Sequence, residues 1–173
     1  MDFKTLLPDF GAIGSTDWSK PKFNTNNPLN LVVALGVILM IVFLFLPWCK
    51  VSAPEGDDVT RMGITTWYGI FACVMTVVAI VGVLYDYPAL VLCASVLGLI
   101  FGLVGVLTVP SMTSNGETLT GEEIKEMIED MRKLKRYDLY DGPIPVISHL
   151  GAILYMVASG VTAVAAYLKI AKK

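Results

Sequence analysis

Long apolar stretches at about Leu31–Trp48, Trp67–Tyr85, Ala89–Val109 and Pro145–Leu168 alternate with polar segments along this chain. None of the four contains Asp, Glu, Lys or Arg, and His149 is the one titratable imidazole among them. A hydrocarbon core about 30 Å thick takes about 20 helical residues to cross. One charge at the centre of such a helix costs about 2.5–3.5 kcal/mol on insertion scales. The pattern therefore predicts an all-α integral membrane protein, a four-transmembrane-helix bundle over residues 29–173, preceded by a polar N-terminal segment, residues 1–28. Phe3, Leu6, Leu7, Phe10, Trp18 and Phe23 are scattered through that segment without helical spacing. They read as a tail, ended by Asn26-Asn27-Pro28.

The polar segments place aromatic markers. Pro47-Trp48 closes the first span and Trp67-Tyr68 opens the second, as amphipathic rings do at headgroup level. Tyr85 and Tyr87 flank the Asp86–Pro88 turn, which is too short to let spans 2 and 3 be anything but antiparallel neighbours. Gly98 and Gly102 on span 3, and Ala158, Thr162 and Ala166 on span 4, form small-residue stripes that allow helices to approach closely. Packing within the bundle is the expected use, with self-association as the rival.

The segment from Pro110 to Gly142 is the longest polar one. Thr120-Gly-Glu-Glu has the spacing of a capping box, with Thr120 as N-cap and Glu123 three residues on. Ile124, Met127, Ile128, Met131 and Leu134 follow on one helical stripe. Acidic residues at the start and basic ones at the end suit the helix dipole. An amphipathic surface helix at about 121–136, between spans 3 and 4, is expected, too short and too charged to cross a bilayer.

Composition narrows the chemistry. Of 173 residues 55% are apolar and 16% charged, and the formal net charge is −2. That argues against a nucleic-acid surface. Three cysteines give no disulfide framework. Cys73 and Cys93 differ in height by about 10 Å at 1.5 Å per helical residue, so packing is their expected role. The first residues lack the basic start of a cleavable signal, and neither a glycosylation sequon nor a lipidation motif occurs. Orientation rests on the basic Leu-Lys-Ile-Ala-Lys-Lys end beside span 4, which favours both termini in the cytoplasm of a plasma or inner membrane.

An even number of spans puts both large loops on one side, so a folded binding surface is expected there. His149, at that mouth of span 4, is a candidate proton or ligand group, although a bond to a backbone carbonyl or Ser148 is the more ordinary explanation. Glu55, Asp57 and Asp58 lack calcium-loop spacing and read as solvated. No metal or cofactor is expected. A thiol oxidase would need Cys-x-x-Cys and a proton-coupled exporter a carboxylate within a span, and the chain has neither. In layout, with a Trp in its first outer segment, the chain resembles claudin-type tetraspan proteins, but it lacks their paired loop cysteines and Gly-Leu-Trp motif, so no residue or function is carried over.

The expected function is non-catalytic: an accessory or structural subunit that binds another membrane protein, or a second copy, through Ile124, Met127, Ile128, Met131 and Leu134. The alternative is a carrier or channel for a small neutral or lipid-like ligand, with Thr76, Ser95 and Thr162 in its core and His149 at its mouth.

Overall fold

The computed structural model describes residues 21–52, 59–114, 117–142 and 144–172. Among them run α1 (Pro28–Leu44), β1 (Pro47–Ser52), β2 (Val59–Met62), a 3-10 turn (Gly63–Thr65), α2 (Trp67–Leu84) and α3 (Pro88–Leu107). The hairpin of β3 (Met112–Ser114) and β4 (Glu117–Leu119) follows, then α4 (Gly121–Arg136), β5 (Val146–Ser148) and α5 (Leu150–Ala171). The chain is mostly helical. Most of the N-terminal segment, including Phe3, Leu6, Leu7, Phe10 and Trp18, lies outside the described residues, as do Glu55, Asp57 and Asp58.

Local chemistry sets the helix ends. Asn27 accepts from Leu29 N at 3.0 Å and Pro28 takes the first helical position, where no N–H is needed. Thr66 caps α2 by accepting from Gly69 N at 3.1 Å. Asp86 bridges α2 and α3 with φ of 59°, a left-handed conformation an Asp tolerates, and Pro88 starts α3. The capping box of α4 forms as expected: Thr120 Oγ1 accepts from Glu123 N at 3.3 Å, and Glu123 accepts from Thr120 N at 2.7 Å.

α2, α3 and α5 are long and apolar enough to cross a membrane; α1, with 17 residues, falls just short by length. α1 packs on α5 and α2, and α3 packs between α2 and α5. Their outward faces carry Leu35, Ile70, Val77, Ile100 and Val164, all exposed. Apolar exposure on this scale marks a surface that meets something other than water.

The strands correct the sequence reading. β5 pairs with β1 antiparallel, Val51 opposite Ile147, and β1 pairs with β2, Val51 opposite Val59, giving a three-stranded sheet ordered β2-β1-β5. The fourth apolar stretch thus starts as a strand, and its helix begins at Leu150 rather than Pro145. A short apolar run does not reveal by periodicity whether it is strand or helix, and here β-branched Val146 and Ile147 find partners on β1. α1 likewise ends at Leu44, and Pro47-Trp48 belongs to the sheet.

Trp48 is therefore not an interfacial anchor; it is fully buried. The register of β1 on β2 slips between Pro47 and Cys49, and such a bulge re-aims a side chain. The indole enters the helical core, stacked on Tyr68 at 5.9 Å between centroids and tilted against Tyr155 at 5.1 Å. Its Nε1 donates to Phe43 O at 2.9 Å, satisfying a carbonyl at the end of α1. Three glycines make room: a Cβ on Gly63, Gly105 or Gly151 would come within 2.5, 2.8 and 2.9 Å of indole atoms.

The neighbouring side chains go the other way. Cys49 and Val51 form a second core with Val59, Ile147 and, from α4, the buried Ile124 and Ile128. One short strand thus joins two cores, with the helices on one face of the sheet and α4 on the other. Lys125 adds a tether by donating to Leu107 O at 3.3 Å, at the end of α3.

Packing outweighs hydrogen bonding in holding this junction. Trp48→Ala should lower the unfolding free energy by about 3–5 kcal/mol. Gly105→Leu should cost about 1–3 kcal/mol by overpacking against the indole. Tyr155→Phe deletes a hydroxyl that donates to Ala72 O at 2.9 Å, and an interhelical bond of this kind averages only about 0.6 kcal/mol. Unfolding in mild detergent measures all three, and a Tyr155→Phe loss as large as that of Trp48→Ala would contradict the order.

Candidate functional site

The two large polar segments and the sheet gather at one end of the helices, where α1 and α3 finish and α2 and α5 begin. This loop-side cap is where folded, non-helical structure presents surface. Its outer layer is α4, whose apolar stripe divides. Ile124 and Ile128 are buried against the sheet, Met131 is half-buried, and Met127 and Leu134 remain exposed. Any partner surface on α4 must therefore be built from Met127 and Leu134 rather than from the whole stripe.

The structure extends that surface beyond the helix. α4 ends in a Schellman turn: Leu139 N donates to Leu134 O at 3.0 Å and Asp138 N to Lys135 O at 3.2 Å, with Asp138 at φ 57° where glycine is usual. This turn brings Leu139 back beside Leu134 and leaves Leu139 73% and Tyr137 72% exposed. On the other flank of α4 an open cleft of about 370 Å³, bordered by Lys125, Glu129, Arg132 and Pro145, faces β5, where Val146 is 63% exposed. β5 is an edge strand of the sheet, only three residues long. Sequence reasoning missed Tyr137, Leu139 and Val146, because the left-handed turn is carried by an Asp and the strand was hidden in an apolar run.

The electrostatics of the cap are local. α4 pairs Lys133 with Glu129 and Asp130, each at 3.3 Å, which holds the Lys133 ammonium above its ordinary value. Glu123 is held below its ordinary value by the backbone N–H and hydroxyl of Thr120. Burial pushes the Cys49 thiol up to about 11, opposed only in part by the Lys125 charge. All three cysteines are free.

His149 sits just ahead of α5, not inside it, with Nδ1 3.1 Å from Trp48 O. The earlier placement within a span is corrected: Val146–Ser148 are strand, so the imidazole lies at the seam between sheet and helix. Half-buried, it links β5 to β1 through the backbone of the residue that anchors the cap. Among the described residues no group of His, Cys, Asp and Glu could hold a metal ion.

The small-residue stripes and the core polar residues lie inside the helical body. Gly98 faces Tyr155, Ser159 and Met40; Gly102 faces the backbone of Met156; Gly36 on α1 faces Thr162. Ala158, Thr162 and Ala166 are buried. Thr76 and Thr162 donate to Ala72 O and Ala158 O of their own helices, at 2.8 and 2.7 Å. Ser95 is fully buried and its hydroxyl has no partner among the described residues. Thr76 also meets the Tyr155 hydroxyl of α5 at 2.9 Å, so the polar groups of the interior bond to helix backbone, to one another, or are enclosed in packing.

The buried thiol offers a test of the cap. Because Cys49 binds its proton more tightly folded than unfolded, the cap should lose stability as pH rises from about 9 to about 11. Cys49→Ala should remove that slope. At pH 8 maleimide should label Cys49 only after Ile128→Asp has opened the α4 core; ready labelling of the unaltered chain would refute the enclosed geometry.

Compared with known proteins, the chain matches no family model, and neither a curated protein nor a solved structure is detectably similar to it.

Proposed function

We propose that this chain is a small four-span membrane protein that acts without catalysis, as an accessory or structural subunit gripping a partner membrane protein through its loop-side cap. The observation that carries the reading is the exposed apolar set Met127, Leu134, Tyr137 and Leu139, along and just beyond α4 on a cap keyed to the helices by Trp48. A small cap that served only to close the helices would turn such residues inward. Tyr and Met are favoured at the centres of protein interfaces, and Lys125, Glu129 and Arg132 keep the other flank of α4, beside β5, charged.

The four-span layout adds α1 to the three helices that are long enough by themselves. Its 17 residues rise about 25 Å, and Phe45-Leu46 continue the apolar run. Leu31, Leu35, Ile38 and Val42 are exposed along one side of it, a face as apolar as those of its neighbours. Slight local thinning of the bilayer accommodates a span this short. With the basic end of α5 taken as cytoplasmic, both termini lie inside a plasma or inner membrane and the cap faces outward.

Two experiments test these readings. Single cysteines introduced as Asn24→Cys, Lys172→Cys and Thr118→Cys should label from opposite compartments, the first two together and the third from the other side. Asn24→Cys and Lys172→Cys labelling on opposite sides would remove α1 as a span. Gentle extraction of the tagged chain from its native membrane should bring down a stoichiometric partner. Met127→Lys or Leu139→Lys should release it, with folding unaltered. A chain that elutes alone, or a partner indifferent to both changes, would overturn the subunit reading.

A further inference from the structure

The opposite end of the molecule has a feature the cap does not explain. Where α1 begins and α5 ends, an open polar cleft of about 350 Å³ is bordered by Asn27, Asn30, Asp86, Lys169 and Lys172. It shares Leu29 with an apolar groove of about 390 Å³ between α1 and α5, bordered by Val32, Gly160, Val161, Val164 and Leu168. Polar cleft and apolar groove thus run into one another along the same helix pair.

Three observations specify the occupant. Lys169 is only 12% exposed and ion-paired with Asp86, which fixes an ammonium at the cleft wall. Lys172, one turn on, is exposed and has no ion-pair partner among the described residues. Asn30 is 4% exposed; its Nδ2 donates to Asn24 O at 2.7 Å, while its buried Oδ1 has no partner among the described residues. A buried acceptor left unpaired keeps its full desolvation cost, so a ligand that supplies a donor is rewarded. Asn30 and Lys169 also border a cavity of about 10 Å³ beneath the cleft, room for about one water to relay such a bond.

We infer that this end of the α1–α5 pair is a binding site for one glycerophospholipid, its phosphate on Lys172 and Lys169, a headgroup hydroxyl or ammonium serving Asn30, and an acyl chain in the Leu29–Val164 groove. Basic pockets between membrane helices hold anionic headgroups in this way. The groove selects a lipid over a free anion, because a phosphate without a tail gains nothing from Val161, Val164 and Leu168. The inference rests on α1 being a span, which sets the groove at bilayer depth.

Native mass spectrometry of the full chain, incubated in mild detergent with palmitoyl-oleoyl phosphatidylglycerol or the matching phosphatidylcholine, tests the site. One phosphatidylglycerol should be retained per chain, about tenfold more than phosphatidylcholine, whose headgroup lacks a donor. Lys172→Gln, exposed and outside the packing, should lower retention of phosphatidylglycerol selectively. Val164→Trp, also exposed, should lower retention of both lipids by filling the groove. Inorganic phosphate should fail to displace the lipid. Equal retention of the two lipids that neither variant alters would reduce the site to ordinary annular contact and overturn the proposal. Displacement by phosphate, with no effect of Val164→Trp, would assign the cleft to a free anion instead. Failure with Asn24→Cys and Lys172→Cys on one side sinks the lipid site alone; labelling on opposite sides sinks the span as well.

Discussion

The burial of one indole decides how the two halves of this molecule relate. Trp48 leaves β1 at a bulge and fills a space that Gly63, Gly105 and Gly151 keep open from three different elements. Aromatic side chains of this size contribute the largest single packing energies in a core, about 3–5 kcal/mol on deletion. The indole also caps α1 through Phe43 O, and the Trp48 backbone carbonyl accepts from His149 Nδ1, just after β5. Removing the ring would leave a void between α1, the 3-10 turn, α2, α3 and α5 at once.

Alternation along a strand carries the consequence outward. Because successive side chains on β1 point to opposite faces, fixing Trp48 in the helical core obliges Cys49 and Val51 to face away from it. A cross-strand row of Val59, Val51 and Ile147 results, and α4 lays Ile124 and Ile128 on that row. Each of those isoleucines stabilises the cap by about 1.5–3 kcal/mol through burial. The surface helix is thereby held over the sheet, not laid flat on lipid, and its remaining apolar residues are aimed outward.

Hydrophobic pattern alone placed the helices well and the sheet not at all. Charge exclusion located α2 and α3 to within a residue or two, and Thr120 and Glu123 located the start of α4, because each signal is local and has one physical cause. β1 and β5 escaped because their partners are about a hundred residues apart in sequence, and Val146-Ile147 continues an apolar run that looks helical. The stripe on α4 was legible as a stripe, but its division into buried and exposed halves depends on a sheet the pattern did not reveal. Leu139 joins the exposed set through a left-handed Asp138, a conformation more often announced by glycine.

The two ends of the helical body differ in what they leave unsatisfied, and this argues for different kinds of partner. At the cap the surplus along α4 is exposed apolar area, which suits a protein surface of matching shape. At the other end the surplus is a buried amide oxygen and an ammonium, neither with a side-chain partner among the described residues, beside an apolar groove, which suits an amphiphile. Between them the hydroxyls of Thr76 and Thr162 close on their own helices and glycine contacts fill the interior. Interior packing of this kind joins the two ends through continuous side-chain contact along the helices.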